Sequence, residues 1–132
     1  MFFLECPYCH KQVFRFFFAG HKAKHQDFRP DGQQNEYITL HPNGRYQGSL
    51  DLVPQCYFHP TCGVLTGMPE DVIRSYLVNP FLYGGGSFCC GCGEHIPEEE
   101  LFWDETGQNM AEYTSELREA YTQKYGAPPP GD

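Results

Sequence analysis

The chain is 132 residues long, enough for one domain or for two very small units sharing an interface. With 14 glycines and 11 prolines, few windows escape helix breakers, so the core is thin and leans on metals or disulfides for stability. A net charge of −8 and the lack of any apolar run near 18 residues exclude a membrane span and a surface that attracts polyanions throughout.

The charge is uneven. Residues 1–30 carry five basic side chains against two acidic ones, whereas residues 31–132 carry four against fifteen. Only the N-terminal end is therefore suited to approach a phosphate backbone. Seven cysteines, an odd number, do not close as a disulfide framework, and no secretory leader of useful length precedes Cys6. Reduced thiols in a cytoplasmic protein, spaced as metal ligands, are the expectation.

In chain order, residues 1–30 read as a first metal unit and residues 31–126 as a hairpin, a second metal unit and a helix packed with it in one compact domain. Residues 127–132, APPPGD, read as a disordered tail. A short apolar strand, Met1 to Leu4, leads into Cys6-Pro7-Tyr8-Cys9. A helix is expected from about Gly20 to before Pro30, placing His21 and His25 on one face a turn apart. The pattern Cys6-x2-Cys9-x11-His21-x3-His25 resembles the two-Cys/two-His zinc finger over about 25 residues. That resemblance implies a zinc held by these four side chains. It puts the family's base-reading positions at Phe14, Phe17 and Gly20, which offer no side-chain hydrogen bonds to a base edge, so it implies the ligands and not the DNA reading.

After a polar loop from Gln26 to Asn35, Glu36 to His41 and Arg45 to Leu50 read as the strands of a hairpin turning at Pro42-Asn43-Gly44. His41 is expected to be exposed. The chain then runs extended into His59-Pro60-Thr61-Cys62-Gly63. Pro69 to Val78 reads as a helix with Val72, Ile73, Tyr76 and Leu77 on one stripe, acidic at its start and stopped at Asn79-Pro80. A flexible GGGS leads to Cys89-Cys90-Gly91-Cys92-Gly93, and Glu98 to Trp103 reads as an edge strand. Glu94, Glu98, Glu99 and Glu100 read as solvated charge. The last element is a helix capped by Asn109, with Met110, Tyr113, Leu117, Ala120 and Tyr121 at helical spacing and Gly126 ending it. The fold class is thus a small zinc-stabilised α+β domain with two zinc knuckle sites, a β-hairpin and a C-terminal helix.

Four ligand pairs are on offer, and they combine into two tetrahedral sites in three ways. Joining Cys6 and Cys9 to His21 and His25 closes a loop of 11 residues, and joining His59 and Cys62 to Cys89 and Cys92 closes one of 26. Pairing Cys6 and Cys9 with His59 and Cys62 closes a loop of 49 instead. Loop entropy favours the shorter closure by about 1.3 kcal/mol. The longer pairing is similar to LIM-type and poly-ADP-ribose-polymerase-type zinc modules, which implies contact with protein or DNA ends. Cys56, Cys90 and His95 are substitutes within the second site. His59, Cys62, Cys89 and Cys92 are preferred because each pair then has a glycine behind it, Gly63 and Gly93, free to take φ > 0.

Two complete four-ligand zinc sites leave no open position, and neither HExxH nor an H-x-E ahead of the second pair is present, so a structural zinc protein rather than an enzyme is expected. Its partner is expected to be another protein, held by the acidic, aromatic-rich C-terminal two-thirds of the chain. Two alternatives remain open. Arg15, Lys22 and Lys24 beside Phe16 to Phe18 offer a stacking surface for RNA or single-stranded DNA, unless those phenylalanines form core, as expected. Cys6-Pro7-Tyr8-Cys9 is similar to the glutaredoxin tetrapeptide, which implies thiol–disulfide exchange with Cys6 attacking and Cys9 resolving.

Overall fold

In the computed structural model, residues 2–27, 30, 34 and 36–129 are described. The breaker-rich sequence yields strands of only two to four residues: β1 (Phe3–Glu5), β2 (Gln12–Phe14), β3 (Cys56–Phe58), β4 (Leu65–Gly67), β5 (Gly86–Cys89), β6 (Glu94–Pro97) and β7 (Phe102–Trp103). Three helices, α1 (Phe18–Gln26), α2 (Glu70–Val78) and α3 (Met110–Tyr125), complete the α+β architecture. The strands form three small antiparallel sheets, ordered β1-β2, β4-β3-β7 and β5-β6. No helix among the described residues is long and apolar enough to cross a membrane.

Four turns share one geometry and set this layout. In Cys6–His10, His59–Gly63, Cys89–Gly93 and Trp103–Gly107, the N–H of the last residue donates to the carbonyl of the first at 2.8 Å. The last residue of each turn sits at positive φ: 64° at His10, 70° at Gly63 and Gly93, and 74° at Gly107. Glycine reaches that conformation without Cβ strain, which accounts for three of the four sequences. The first three turns join β1 to β2, β3 to β4 and β5 to β6, with the flanking registers Glu5↔Gln12, Phe58↔Leu65 and Cys89↔Glu94.

The apolar core lies in the C-terminal part: Tyr57, Tyr76, Ile96, Leu101, Trp103 and Met110 pack together with Cys89. Asn109 caps α3 through its side-chain oxygen, which accepts from the N–H groups of Ala111 and Glu112, a contact worth about 1 kcal/mol. Gly126 ends the helix at φ 81°. Helix α2 carries Glu70 and Asp71 in its first turn and buries Ile73 and Tyr76. By contrast, α1 has no buried residue and no side-chain cap. Helix propensity alone does not sustain nine residues in water, so α1 depends on its contacts with the rest of the chain.

Three sequence expectations are corrected. The hairpin expected at Glu36 to Leu50 does not form; the hairpins are those at the turns described above. Pro42 fixes a negative φ where a two-residue hairpin turn needs φ > 0, and the chain makes a single 3-10 turn at Pro42–Gly44 instead. His41, which is exposed, caps that turn. The neighbouring backbone bonds outward: Thr39 N–H to Pro7 O at 3.0 Å, Leu40 N–H to Ser75 Oγ at 2.9 Å and Tyr46 N–H to Arg74 O at 3.0 Å. Secondly, Gly86 and Ser87 are strand residues, and a Cβ on Gly86 would stand 3.0 Å from the Ile96 carbonyl oxygen across the pair. Thirdly, Glu98–Glu100 is a 3-10 turn and only Phe102–Trp103 of the expected edge strand pairs. The polar loop expected from Gln26 to Asn35 falls partly, and the end of the tail wholly, outside the described residues.

Candidate metal centres

The turns bring ligand-type side chains together twice. The Cys6–Cys9 turn faces α1, where His21 and His25 lie one helical turn apart. Cys9 Sγ is 3.4 Å from His21 Nε2, and the Nε2 atoms of His21 and His25 are 3.2 Å apart. The His59–Cys62 turn faces the Cys89–Cys92 turn. There, His59 Nδ1 is 3.4 Å from Cys92 Sγ, and Cys62 Sγ is 3.4 Å from Cys89 Sγ. In each cluster the four candidate ligand atoms lie within 4.8 Å of one another, and both clusters could hold a metal ion.

A tetrahedron with metal–sulfur and metal–nitrogen bonds of about 2.3 and 2.05 Å has edges of about 3.3 Å (N–N), 3.5 Å (N–S) and 3.8 Å (S–S). The separations of 3.2 and 3.4 Å follow those edges closely, with the sulfur pair slightly tight. All seven cysteines are free thiols. Cys6, Cys89 and His59 are buried, whereas Cys92 is exposed.

In both clusters a histidine turns one ring nitrogen to the cluster and the other to a carboxylate. His25 uses Nε2 inward and sets Nδ1 2.8 Å from Glu36 Oε1; His59 uses Nδ1 inward and sets Nε2 3.2 Å from Glu100 Oε1. Such a carboxylate fixes the tautomer and makes the inward nitrogen a better donor to a metal. Tyr8 stacks on His25 at 5.3 Å, and its hydroxyl accepts from Gln26 Nε2. Sequence reasoning missed Glu36 and Glu100, because long-range pairing leaves no spacing signature.

Gly91 is also missing from the sequence reading, which credited only Gly63 and Gly93. A Cβ there would come 2.5 Å from Cys62 Sγ and 2.8 Å from Val64 Cβ, so a side chain would push the two turns apart. The thiols of this cluster do not titrate alike. The Val64 backbone N–H leads in holding Cys62 below the ordinary thiol value. Cys92 is pushed up to about 11 by partial desolvation, then by Cys89 and Cys62. A cation would favour the thiolates and so reverse the second shift.

The three substitutes lie outside both clusters. The Cys56 N–H donates to Glu105 at 3.1 Å, the Cys90 N–H donates to Thr66 Oγ1 at 3.0 Å, and His95 Nε2 is 2.9 Å from the Tyr37 hydroxyl. Among the acidic residues read as solvated, Glu98 is the correction: it is 8 % exposed and accepts from Thr114 Oγ1 at 3.2 Å. Desolvation leads in raising its carboxyl above the ordinary value. The expectation that the N-terminal phenylalanines are core also fails for Phe16 and Phe17, which are 72 % and 69 % exposed. Arg15 lies over the Phe16 ring at 5.1 Å and Lys22 over Phe18 at 5.4 Å, while Lys24 is on the exposed part of α1.

No known protein family, curated protein or solved structure matches this chain.

Proposed function

We propose that the protein is a structural-zinc interaction module that binds two zinc ions and presents its surface to another protein. The observation that carries the metal reading is α1, a helix without buried residues whose His21 and His25 gather with Cys6 and Cys9 so that all four ligand atoms lie within 4.8 Å of one another. Cys6, Cys9, His21 and His25 would hold the first ion and His59, Cys62, Cys89 and Cys92 the second. Sulfur and imidazole donors favour zinc over calcium or magnesium, which take oxygen ligands. Four protein ligands at each ion leave no position for substrate, which supports a structural role. Ligand thiols must stay reduced, in keeping with a cytoplasmic setting.

Elemental analysis of natively purified protein, with a count of reactive thiols before and after chelation, tests this. Two zincs per chain and protected thiols released by chelator are expected. Metal-free protein with reactive Cys6 and Cys9 would overturn it and restore the thiol–disulfide reading, which the full burial of Cys6 disfavours. For the protein partner, the support is the excess of acidic side chains in residues 31–132 and the chain's 16 % aromatic content. A low-salt affinity capture that recovers no partner counts against it.

A second reading has its own observation. Exposed Phe16 and Phe17 beside Arg15, on the net-positive end of the chain, suit stacking on single-stranded nucleic acid. Replacing Arg15, Lys22 and Lys24 by alanine is expected to abolish RNA or single-stranded DNA binding. An unshifted oligonucleotide at low salt with the native protein eliminates that reading.

A further inference from the structure

A cleft of about 80 Å³ opens between β4, the start of α2 and the β5-β6 hairpin, and none of the eight candidate metal ligands lines it. Its lining includes Tyr37, Tyr57, Tyr76, Tyr83 and Phe88, with Glu98 among them. We propose that this cleft binds an alkylammonium group, with the aromatic rings around the cation and Glu98 as its counter-charge.

The rings are fixed before any ligand arrives. The Tyr57 hydroxyl donates to the Phe88 carbonyl and the Tyr83 hydroxyl to the Ile38 carbonyl. Tyr37 is paired with His95, and Tyr76 with Thr114. Burial raises the ionisation of Tyr57, Tyr76 and Tyr83 well above the ordinary phenol value, so these rings stay neutral. With the hydroxyls engaged, the tyrosines offer a ligand ring surface rather than hydrogen bonds. Ring surface attracts cations through the aromatic quadrupole and accepts methyl groups equally well.

Glu98 supplies the sign. Its Oε1 is tied to Thr114, which is bonded in turn to Tyr76, and it forms no ion pair among the described residues. Arg118 directs its guanidinium to the Pro80 and Tyr83 carbonyls, at 3.0 and 3.3 Å. Arg118 still acts on Glu98 from beyond ion-pair distance, and a carboxylate 8 % exposed with no cation in direct contact is costly. A neutral apolar guest would leave it so; an alkylammonium guest would pair it.

This goes beyond the metal reading and does not depend on it. The group could arrive on a lysine side chain of a protein or as a small soluble quaternary ammonium compound. Calorimetric titration of the native full-length protein with choline, with N-acetyl-N6-trimethyl-lysine amide, with the unmethylated lysine amide and with 3,3-dimethylbutan-1-ol separates the cases. The last is the neutral isostere of choline. At least one of the three cations is expected to bind saturably, and about tenfold or more tighter than the neutral alcohol. Preference for a lysine derivative identifies a protein side chain, and preference for choline a small ligand. E98Q and Tyr83→Leu, each checked for native circular dichroism, are both expected to weaken the cation about tenfold and leave the alcohol unchanged. Equal binding of choline and its isostere, or no saturable binding by any cation, overturns the proposal.

Discussion

His10 occupies the position that glycine fills in the three related turns, at φ 64°. Left-handed backbone costs a Cβ-bearing residue about 1 kcal/mol, and here the side chain offsets it. His10 Nδ1 lies 3.1 Å from Glu5 Oε2, and Nε2 lies 2.8 Å from Thr39 Oγ1. H10G removes the strain along with the hydrogen bonds, whereas His10→Ala keeps the strain and loses the bonds. The alanine variant should therefore be less stable than the glycine one by about 1 kcal/mol in chemical denaturation. Equal stabilities would mean the turn is not strained. The paired carboxylates give a second residue-level test. E36Q and E100Q keep an acceptor but remove the charge behind His25 and His59. Each should weaken one site about tenfold in competition with a chromogenic chelator, the low end for such partners because both carboxylates are half exposed or more. Unchanged affinity in both would remove the carboxylates from the metal argument.

At the scale of elements, the readable features were those written in adjacent residues. Asn109 and Gly126 bracket α3 through local caps, the breaks around Glu70 to Val78 bound α2, and the glycines behind Cys62 and Cys92 mark turns. What the sequence hid depends on distant partners. Gly91 matters because Cys62 and Val64 press on it from another hairpin, and Glu36 to Tyr46 is irregular because the Thr39, Leu40 and Tyr46 N–H groups go to Pro7, Ser75 and Arg74 rather than across a hairpin. The Asn-Gly pair pointed the wrong way because Pro42 already occupied the turn. Glu98 belongs to this hidden class as well, since burial against Thr114 on α3 follows from packing. Its raised carboxyl value has a definite sign for stability. A carboxyl whose folded value lies above its unfolded one contributes fully below the unfolded value, and that contribution is lost as pH rises through the folded one. E98Q carries no such loss. Its melting temperature should exceed that of the native protein by about 3 °C at pH 8, with a smaller gap at pH 5. A gap that narrows with rising pH would mean that Glu98 is held as a stabilised carboxylate.

Across the whole molecule, the two centres rest on different foundations. Around the second, Tyr57, Leu101, Trp103 and Met110 form an apolar core that does not need a metal to be apolar. Around the first, only Cys6 and Tyr8 among the described apolar residues of the unit are buried, and a core that small does not offset the entropy of ordering the chain. The segment between them ties the two together: Glu36 reaches His25, Tyr37 reaches His95, Thr39 reaches Pro7 and His10, and Leu40 reaches Ser75. These are individual hydrogen bonds, each worth about 1 kcal/mol, so they transmit less than a shared core would. Losing the first metal should therefore unfold α1 and leave the C-terminal core in place. On the proposed function, replacing Cys6 and Cys9 together by serine is expected to remove one metal ion and part of the helical circular dichroism, with Trp103 emission still that of a buried indole. The corresponding change at Cys89 and Cys92 should remove the other metal ion and shift Trp103 emission to the red, because Cys89 shares the apolar core with Trp103 and Tyr57 packs edge-on against the indole. A red shift from the Cys6 and Cys9 variant as well would show that the segment 36–41 couples the centres into one cooperative unit.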